Sequence, residues 1–316
     1  MRKMDNYVRQ AFKEKMKNID FFRSLEFSRR ERIRRYPLAT LRLFFVDYVL
    51  KFLIYKLHLL SPLVSARTFW GDKMRVVFPD NRAVYHYGLL DGQEIAVNSF
   101  IVDKLKEGDT FLDAGAHTGY YTLLASKIVG PRGSVHAFEP TPRTFGILKS
   151  NVEAAGRSNI RLNKEALLDK NKDIEIVDFG IRYGGLNSAL PLDRLPRGFI
   201  DLSSREHIRL EKIKAEAITV DDYCLRNNVE PNIIKVDIEG SEYSLLLGAR
   251  ETIKTHRPLL VVEIWQEEGR RDNFERIVEL MKNYSYTPRQ FGKEFNLLPY
   301  SKGDEILSSN FVFLPR

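Results

Sequence analysis

The chain has 316 residues, of which 43% are hydrophobic and 11% aromatic, so it can bury a sizeable core and does not have the composition of a disordered protein. Its single cysteine, Cys224, excludes an intramolecular disulfide and a cysteine-rich metal site, and it permits a reducing cytoplasm. The net charge of +8 is uneven, because residues 1–66 carry 15 Lys and Arg against 6 Asp and Glu while residues 67–316 carry 35 against 36. Since residues 67–316 are nearly neutral, their charge gives no reason to expect that an active site among them binds nucleic acid.

Residues 1–66 are predicted to form a basic, aromatic-rich helical extension. Charged, helix-compatible stretches precede Pro37, and an apolar helix follows it with one polar stripe at Asp47, Lys51, Tyr55 and His58. The segment carries too many charges for a membrane span. We expect it to pack on protein, either the main domain or a second copy in a homo-oligomer, or alternatively to lie on a membrane surface. The expected location is cytoplasmic, in the latter case at the cytoplasmic face of a membrane.

Residues 67–316 are predicted to form one α/β domain. It begins with a hairpin, because residues 74–78 and 83–87 alternate apolar and polar side chains on either side of Pro79-Asp80-Asn81. A helix over 93–106 then leads to the first core strand. After that strand the pattern alternates strands and helices, which is typical of a parallel sheet.

The most informative stretch is Asp-Thr-Phe-Leu-Asp-Ala-Gly-Ala-His-Thr-Gly-Tyr-Tyr-Thr at 109–122, followed by Val-His-Ala-Phe-Glu-Pro at 135–140. A buried strand leads to a glycine turn at Gly115 and Gly119, and Glu139 follows 24 residues after Gly115, where a nucleotide-binding unit places its ribose-binding carboxylate. The glycines are four apart, so no G-x-G-x-x-G cradle for a pyrophosphate is present. Asp113 can instead take an ammonium group, and the helix start offers N–H groups to a carboxylate. An amino acid joined to a nucleoside fits, which describes S-adenosylmethionine.

The remaining chain continues this alternation with one interruption. Helices are predicted over 142–155, from 221, after 241 to 249 and over 273–283, and core strands near 160–162, 233–236, 259–262 and 310–314. Residues 171–219 interrupt the alternation and are predicted to be a β-rich insertion with turns at its glycines and prolines. We expect this insertion, including Asn187 and Ser188, to contact the substrate.

Five ordered blocks together resemble the FkbM family of S-adenosylmethionine-dependent methyltransferases. They are Asp-Ala-Gly-Ala-His-Thr-Gly-Tyr-Tyr-Thr at 113–122, His-Ala-Phe-Glu-Pro at 136–140, Thr-Val-Asp-Asp-Tyr at 219–223, Lys-Val-Asp-Ile-Glu-Gly-Ser-Glu at 235–242 and Arg-Pro-Leu-Leu-Val-Val-Glu at 257–263. The resemblance implies a class I, Rossmann-like methyltransferase fold. In that fold a seven-stranded, mainly parallel sheet ends in an antiparallel strand. It also implies O-methylation of a hydroxyl on a sugar, polyketide or other small molecule.

Several residues are expected to bind the cofactor. Asp113, Gly115, Ala116, His117, Gly119 and Thr122 are assigned to the methionine part, Glu139 to the ribose hydroxyls and the turn at 166–169 to adenine. Glu94 resembles an acid that the family places near the cofactor. The family commonly has Asn where this chain has His117.

The strand-end acids Asp113, Glu139, Asp237 and Glu263 are expected to converge on one crevice, since parallel strands end at the same sheet edge. Asp237 and Glu239 are the candidate catalytic bases, because they follow a strand end beside a glycine. Alternatives remain open. Asp237 can cap the following helix, as is expected more strongly of Asp221 for its own helix.

No metal is expected, because no histidine lies near these acids in sequence, although Asp237, Glu239 and Glu242 together can bind a divalent ion. His117 can assist the substrate or be an ordinary packed histidine.

Two other functions compete with O-methyl transfer. They are a nucleotide-dependent oxidoreductase or epimerase, which the missing glycine triplet disfavours, and a non-catalytic membrane-associated scaffold with the same fold. Methylation of nucleic-acid bases is disfavoured, because the corner at 235–240 lacks an aromatic residue that would stack a flipped base.

Overall fold

A computed structural model describes residues 3–17, 37–56, 62–195, 197–264, 271–292 and 295–316. The chain divides into two compact units, Met1–Asp103 and Lys104–Arg316. Residues 67–103, which the sequence analysis assigned to the main domain, lie in the first unit. Beyond residue 17, the helical stretches predicted before Pro37 lie outside the described residues. His58 of the polar stripe also lies outside them.

The first unit contains four helices and one hairpin among its described residues. They are α1 (Lys3–Met16), α2 (Pro37–Lys51) with a π-helical turn at Phe52–Lys56, β1 (Leu63–Arg67), β2 (Lys73–Val77), α3 (Arg82–Tyr87) and α4 (Glu94–Lys104). The predicted helices after Pro37 and over 93–106 are confirmed. α2 is bound to α3 within this unit, since Asp47 Oδ1 lies 2.8 Å from Nε2 of His86. Within the described residues no helix is long and apolar enough to cross a membrane.

The predicted hairpin between residues 74–78 and 83–87 is wrong. β2 pairs with the preceding strand β1, antiparallel from Leu63↔Val77 to Arg67↔Lys73. Residues 83–87 belong to α3, which ends at Gly88 in the left-handed region (φ 72°), where the Gly88 N–H donates to the Val84 carbonyl. Five alternating residues fit a helical turn as well as a strand, and the glycine after them is a helix-terminating signal that decides between the two.

The second unit holds the main sheet and its helices. Its strands are β3 (Thr110–Ala114), β4 (Ser134–Phe138), β5 (Ile160–Asn163), β6 (Ala166–Leu167), β7 (Lys172–Asp178), β8 (Glu211–Ile218), β9 (Ile233–Val236), β10 (Leu259–Glu263), β11 (Tyr286–Phe291), β12 (Leu297–Pro299) and β13 (Asn310–Pro315). Its helices are α5 (Tyr120–Val129), α6 (Pro142–Ala155), α7 (Arg197–Arg205), α8 (Val220–Asn227), α9 (Glu242–Leu247), α10 (Arg250–His256) and α11 (Arg271–Asn283). The core strands and helices match the predicted ranges within a few residues.

The main sheet has eight strands in the order β12-β11-β13-β10-β9-β3-β4-β5. The five strands from β10 to β5 are mutually parallel. β13 pairs antiparallel with β10 and with β11, so β11 runs in the direction of the five, and β12 pairs antiparallel with β11 at the edge. β3 and β9 lie side by side at the centre, and the chain leaves them in opposite directions across the sheet, toward β4 and β10. Such a switch point is where open α/β sheets bind ligands. The class I methyltransferase fold is therefore confirmed, with the short edge strand β12 in addition to the seven strands expected.

The insertion at 171–219 forms a small second sheet. β7 and β8 pair antiparallel from Lys172↔Ala217 to Asp178↔Glu211, and β6 pairs parallel with β8. The connection between β7 and β8 was expected to consist of turns, but it contains 3-10 turns at Ile181–Leu186 and Leu192–Arg194 and then α7. An apolar cluster stabilises this helical part, because Phe199 of α7 packs edge-on against Phe179, with ring centroids 5.7 Å apart.

Candidate active site

Asp113 lies near the carboxyl end of β3 and is 1% exposed. Its Oδ2 accepts a 2.6 Å hydrogen bond from the Thr122 hydroxyl in the first turn of α5. Its Oδ1 is buried and has no hydrogen-bond partner among the described residues. Burial raises the pKa of Asp113, and the positive charge of Lys235 opposes this shift. A buried carboxylate with an unused acceptor is costly, and a donor on a ligand would stabilise it.

The two glycines of the turn are required by the turn itself. Gly115 has φ 83°, and a Cβ at this position would lie 1.8 Å from the backbone oxygen of Asp237. Gly119 has φ 91°, and a Cβ there would lie 2.6 Å from Leu148 Cδ1. The N–H groups of Gly115 and Ala116 donate to the Phe138 carbonyl, and that of Gly119 donates to the Ala116 carbonyl. These donors are therefore used within the protein, and binding of the cofactor carboxylate by the first turn of α5 stays a prediction.

Glu139, which follows β4, is 6% exposed and holds the same turn from the other side. Its Oε2 accepts the His117 N–H at 3.1 Å, and its Oε1 accepts the Thr141 N–H at 3.0 Å. Burial raises the pKa of Glu139, while the neighbouring His117 and the backbone donors act in the opposite direction. Each carboxylate oxygen keeps a second acceptor position, so binding of ribose hydroxyls is compatible with these bonds.

His117 has φ 50°, in the left-handed region. Asn and His are enriched there among residues with a side chain, which accounts for His in place of the family's common Asn. Its ring faces the insertion, because a Cβ on Gly184 would lie 3.4 Å from Nε2 of His117. A role of this ring toward the substrate stays a prediction.

The corner after β9 brings a buried cation to the strand-end acids. Lys235 is 3% exposed, and its Nζ lies 2.8 Å from Asp237 Oδ2 and 4.8 Å from the centroid of the Tyr121 ring. Burial disfavours ionisation of Asp237, but the Lys235 ammonium outweighs it and lowers the pKa of Asp237. The sequence analysis did not assign Lys235 a role. The signal that could have found it is a lysine inside an otherwise apolar buried strand.

Glu239 has the most perturbed environment of these acids. Burial raises its pKa well above the usual range, and the negative charges of Asp237, Glu263 and Glu242 raise it further. Its Oε2 is buried without a hydrogen-bond partner among the described residues. Its backbone is in the left-handed region (φ 53°), and the next residue, Gly240, donates its N–H to Glu242 Oε1 at 2.6 Å. The corner thus holds Glu239 in a strained conformation, which is common at functional sites.

The two residues that were expected to contact substrate hold the insertion at two places, Ser188 at this corner and Asn187 at Thr141 after β4. The Ser188 hydroxyl donates a 2.7 Å hydrogen bond to the Glu239 carbonyl. The Asn187 side chain donates to Thr141 Oγ1 at 3.2 Å and accepts the Phe179 N–H at 2.8 Å. Both side chains therefore position the insertion against the site, and their contact with a substrate stays a prediction.

The two candidate capping acids behave differently from each other. Asp237 pairs with Lys235, and Ser241 is the residue that precedes α9, so the capping alternative for Asp237 is not observed. Asp221 does cap a helix, but the prediction of which helix is wrong. Thr219 caps α8, whereas the Asp221 carboxylate accepts the N–H groups of Glu251 and Thr252 at the start of α10. The reason is that residue 221 lies inside the first turn of α8, beyond the cap position.

A family model described as the methyltransferase FkbM domain matches residues 113–288. The chain belongs to the FkbM methyltransferase family. The resemblance in the sequence is thereby confirmed, and the chain is an S-adenosylmethionine-dependent methyltransferase.

Curated relatives of this FkbM methyltransferase are distant. It is 23% identical to "31-O-demethyl-FK506 methyltransferase FkbM" of Streptomyces tacrolimicus over 58% of this chain and 75% of that protein. It is 24% identical to "Hexuronic acid methyltransferase AglP" of Haloferax volcanii over 65% of this chain and 74% of that protein.

Among solved structures, the methyltransferase FkbM from Methylobacillus flagellatus is 16% identical with a TM-score of 0.41, covering 70% of this chain and 53% of that one. Aeropyrum pernix fibrillarin with bound S-adenosyl-L-methionine is 14% identical with a TM-score of 0.36, covering 66% and 67%. The strand order of this FkbM methyltransferase and its family match establish its fold class.

The pocket of this FkbM methyltransferase fits S-adenosylmethionine. Asp113 offers a buried acceptor oxygen without a partner, suited to an ammonium group, and Glu139 offers acceptors for vicinal hydroxyls. The turn expected at adenine is held in place, since Ser244 Oγ bonds both the N–H and Oδ1 of Asp169. Its contact with adenine stays a prediction.

Other assigned residues complete the description. Glu94 begins α4 in the first unit, and its assignment to the cofactor also stays a prediction. Tyr120 and Tyr121 are both buried and pack edge to face, with ring centroids 5.4 Å apart. Among the described residues no group of three or more His, Cys, Asp or Glu is arranged to hold a metal ion.

Proposed function

We propose that this FkbM methyltransferase methylates a hydroxyl oxygen of a small molecule or a glycan. The observation that carries the proposal is the buried Glu239 carboxyl with its raised pKa, next to an ionised Asp237. A hydroxyl is a weak nucleophile until a base takes its proton, and a carboxyl with an upward-shifted pKa is a stronger base than an ordinary one. The two relatives are named for an FK506 derivative and for a hexuronic acid, which are molecules that carry hydroxyl groups.

The roles of the chain's own residues follow from their contacts. When bound, S-adenosylmethionine supplies a methyl group on a cationic sulfur. Asp113 and Glu139 bind the ammonium and ribose ends and so fix the cofactor on the turn between β3 and α5. Glu239, once ionised, accepts the proton of the acceptor hydroxyl at Oε2. Asp237, held by Lys235, stays negative and orients the acceptor. Positioning of the reacting groups supplies most of the acceleration.

The buried character of the corner supports this division of roles. Asp237 is kept ionised by a cation 2.8 Å away and is therefore a poor base, although it was the other candidate. Glu239 has no such partner at Oε2 and lies among three further acids. The two carboxyls thus have opposite pKa shifts, as is typical of sites that separate a base from an ionised orienting group.

The test uses the full chain, tritium-labelled S-adenosylmethionine and a panel of hydroxylated acceptors that includes macrolides and uronic-acid glycans. Glu239→Gln should lower the rate of methyl transfer at least about 100-fold, since a general base contributes this much. S-adenosylhomocysteine should still bind to this variant. Glu153→Gln, an exposed acid on α6, is the matched control and should keep full activity. Full activity of Glu239→Gln, or a product methylated on nitrogen or carbon, would overturn the proposal. Absence of turnover on any acceptor, with cofactor bound, would favour the scaffold alternative.

A further inference from the structure

Lys235 lies at the centre of the sheet, where a lysine is rarely found. It is the third residue of β9, between apolar residues that are fully buried, and is 3% exposed itself. An ammonium group so far from water is destabilising unless charges and hydrogen bonds compensate it. The compensation includes a 2.8 Å bond to Asp237 and the face of the Tyr121 ring. The bond to Asp237 does not by itself explain why this lysine stands in the middle of the sheet beside β3.

The register of the central strands places Lys235 between two acids. Asp113 of β3 is the direct cross-strand partner of Lys235 in the parallel pairing of β3 with β9. Asp237 follows two residues later, and side chains two apart on an extended chain point to the same face. The Lys235 charge therefore acts on both carboxylates, and it opposes the upward pKa shift of Asp113 as well as lowering the pKa of Asp237. One acid lies on the cofactor side and the other on the acceptor side.

We propose that Lys235 is a positioning residue that keeps Asp113 and Asp237 ionised together, so that the cofactor ammonium and the acceptor meet two oriented carboxylates. Without its charge, the buried Asp113 carboxylate would lose the cation that favours its ionised form, while Asp237 would still act against ionisation. A protonated Asp113 loses its attraction for an ammonium group. The proposal rests on the methyltransferase activity and on the placement of the cofactor at Asp113.

Further titratable groups act on this cluster. Glu263 at the end of β10 and His117 of the glycine turn act on Asp237, whereas Asp113 is affected mainly by Lys235, the Thr122 hydroxyl and Asp237. Lys235 is the cation that favours ionisation of Asp113, so a change in the protonation of Asp113 reports the loss of Lys235. Cofactor binding is the appropriate readout, because it depends on Asp113.

The experiment measures the affinity of the full chain for S-adenosylhomocysteine by calorimetry from pH 6 to pH 9. The wild type should bind almost independently of pH. Lys235→Met should bind at least about 10-fold more weakly at pH 6 and recover as the pH rises, because Asp113 must then lose a proton before it binds the ligand. Lys235→Arg should keep a nearly flat profile. Lys254→Met, which removes an exposed lysine on α10, is the matched control.

Two further outcomes separate this role from a purely structural one. A loss of affinity in Lys235→Met that is equal at every pH would overturn the proposal, and so would an unchanged profile. If Lys235→Met does not fold, the double variant Lys235→Met with Asp237→Asn is measured, since it leaves no like charge beside Asp113. It should still bind more weakly at pH 6 than at pH 9, because Asp113 stays buried without the Lys235 cation, and a flat profile would count against the proposal. If these binding profiles are observed but no O-methylation is detected, only the proposed methylation of a hydroxyl is overturned.

Discussion

The backbone oxygen of Asp237 lies where a Cβ on Gly115 would be, at 1.8 Å. This contact joins the glycine turn that follows β3 to the acidic corner that follows β9, which are the proposed cofactor-binding and acceptor-binding parts of the site. Since the contacting atom is backbone, it cannot move aside as a flexible side chain would.

Gly115→Ala should therefore destabilise the protein by at least about 3 kcal/mol, from backbone strain at a positive φ together with steric overlap. Gly146→Ala on the exposed face of α6 is the control, since nothing lies within 4 Å of its added Cβ. It should stabilise by about 0.5–1 kcal/mol, the usual gain from removing a helical glycine. Chemical denaturation measures both, and a Gly115→Ala protein as stable as wild type would contradict the contact.

The Glu139 carboxylate should determine cofactor affinity through its ribose contacts. Glu139→Gln replaces one acceptor oxygen by an amide and removes the charge, so S-adenosylhomocysteine should bind about 10- to 100-fold more weakly, as expected for one or two hydrogen bonds to a charged group. Calorimetric titration provides the measurement, again with Glu153→Gln as the surface control. Unchanged affinity would place the ribose elsewhere.

The raised pKa of Glu239 should appear in the pH dependence of activity. If Glu239 is the base, methyl transfer rises with pH until this carboxyl is ionised. Glu242→Gln removes a negative charge that raises the pKa of Glu239, so the acid limb should move to lower pH. An acid limb that stays in place would show that Glu239 is not the group that titrates.

The same shift predicts how stability depends on pH. Because the pKa of Glu239 is higher in the folded than in the unfolded protein, the folded state holds this proton more tightly. Its stabilising contribution is complete below the usual glutamate pKa of 4.5 and is lost as the pH rises through the higher pKa of the folded state. Glu239→Gln should consequently gain thermal stability over wild type as the pH increases. A difference in melting temperature that does not change with pH would contradict this prediction.

Asp221 should stabilise α10 rather than its own helix. Asp221→Ala removes two hydrogen bonds to the N–H groups of Glu251 and Thr252 and should cost about 1–2 kcal/mol of unfolding free energy. Glu251→Ala, which removes an exposed side chain paired with the exposed Lys254 of α10, should change stability by less than about 0.5 kcal/mol. Hydrogen exchange should show the loss of protection at the start of α10. Loss confined to α8 would mean that Asp221 caps its own helix.

Much of this protein is determined by the sequence alone. The apolar runs that form the five parallel strands, and the acids Asp113, Glu139 and Glu263 at or just after strand ends, are patterns within a few residues of chain. Because parallel strands end at one sheet edge, these local patterns already bring the acids together. The switch point, the methyltransferase family and the cofactor follow from them.

Only the tertiary structure decided which groups meet. β2 pairs with β1 rather than with the residues after it, Asp221 caps α10, and the insertion connects β7 to β8 through helical segments. Lys235 lies opposite Asp113, although more than a hundred residues separate them, because β9 adds to the sheet beside β3. Local sequence preferences carry no information about such neighbours, since each depends on how distant segments pack and on which buried charge can be compensated.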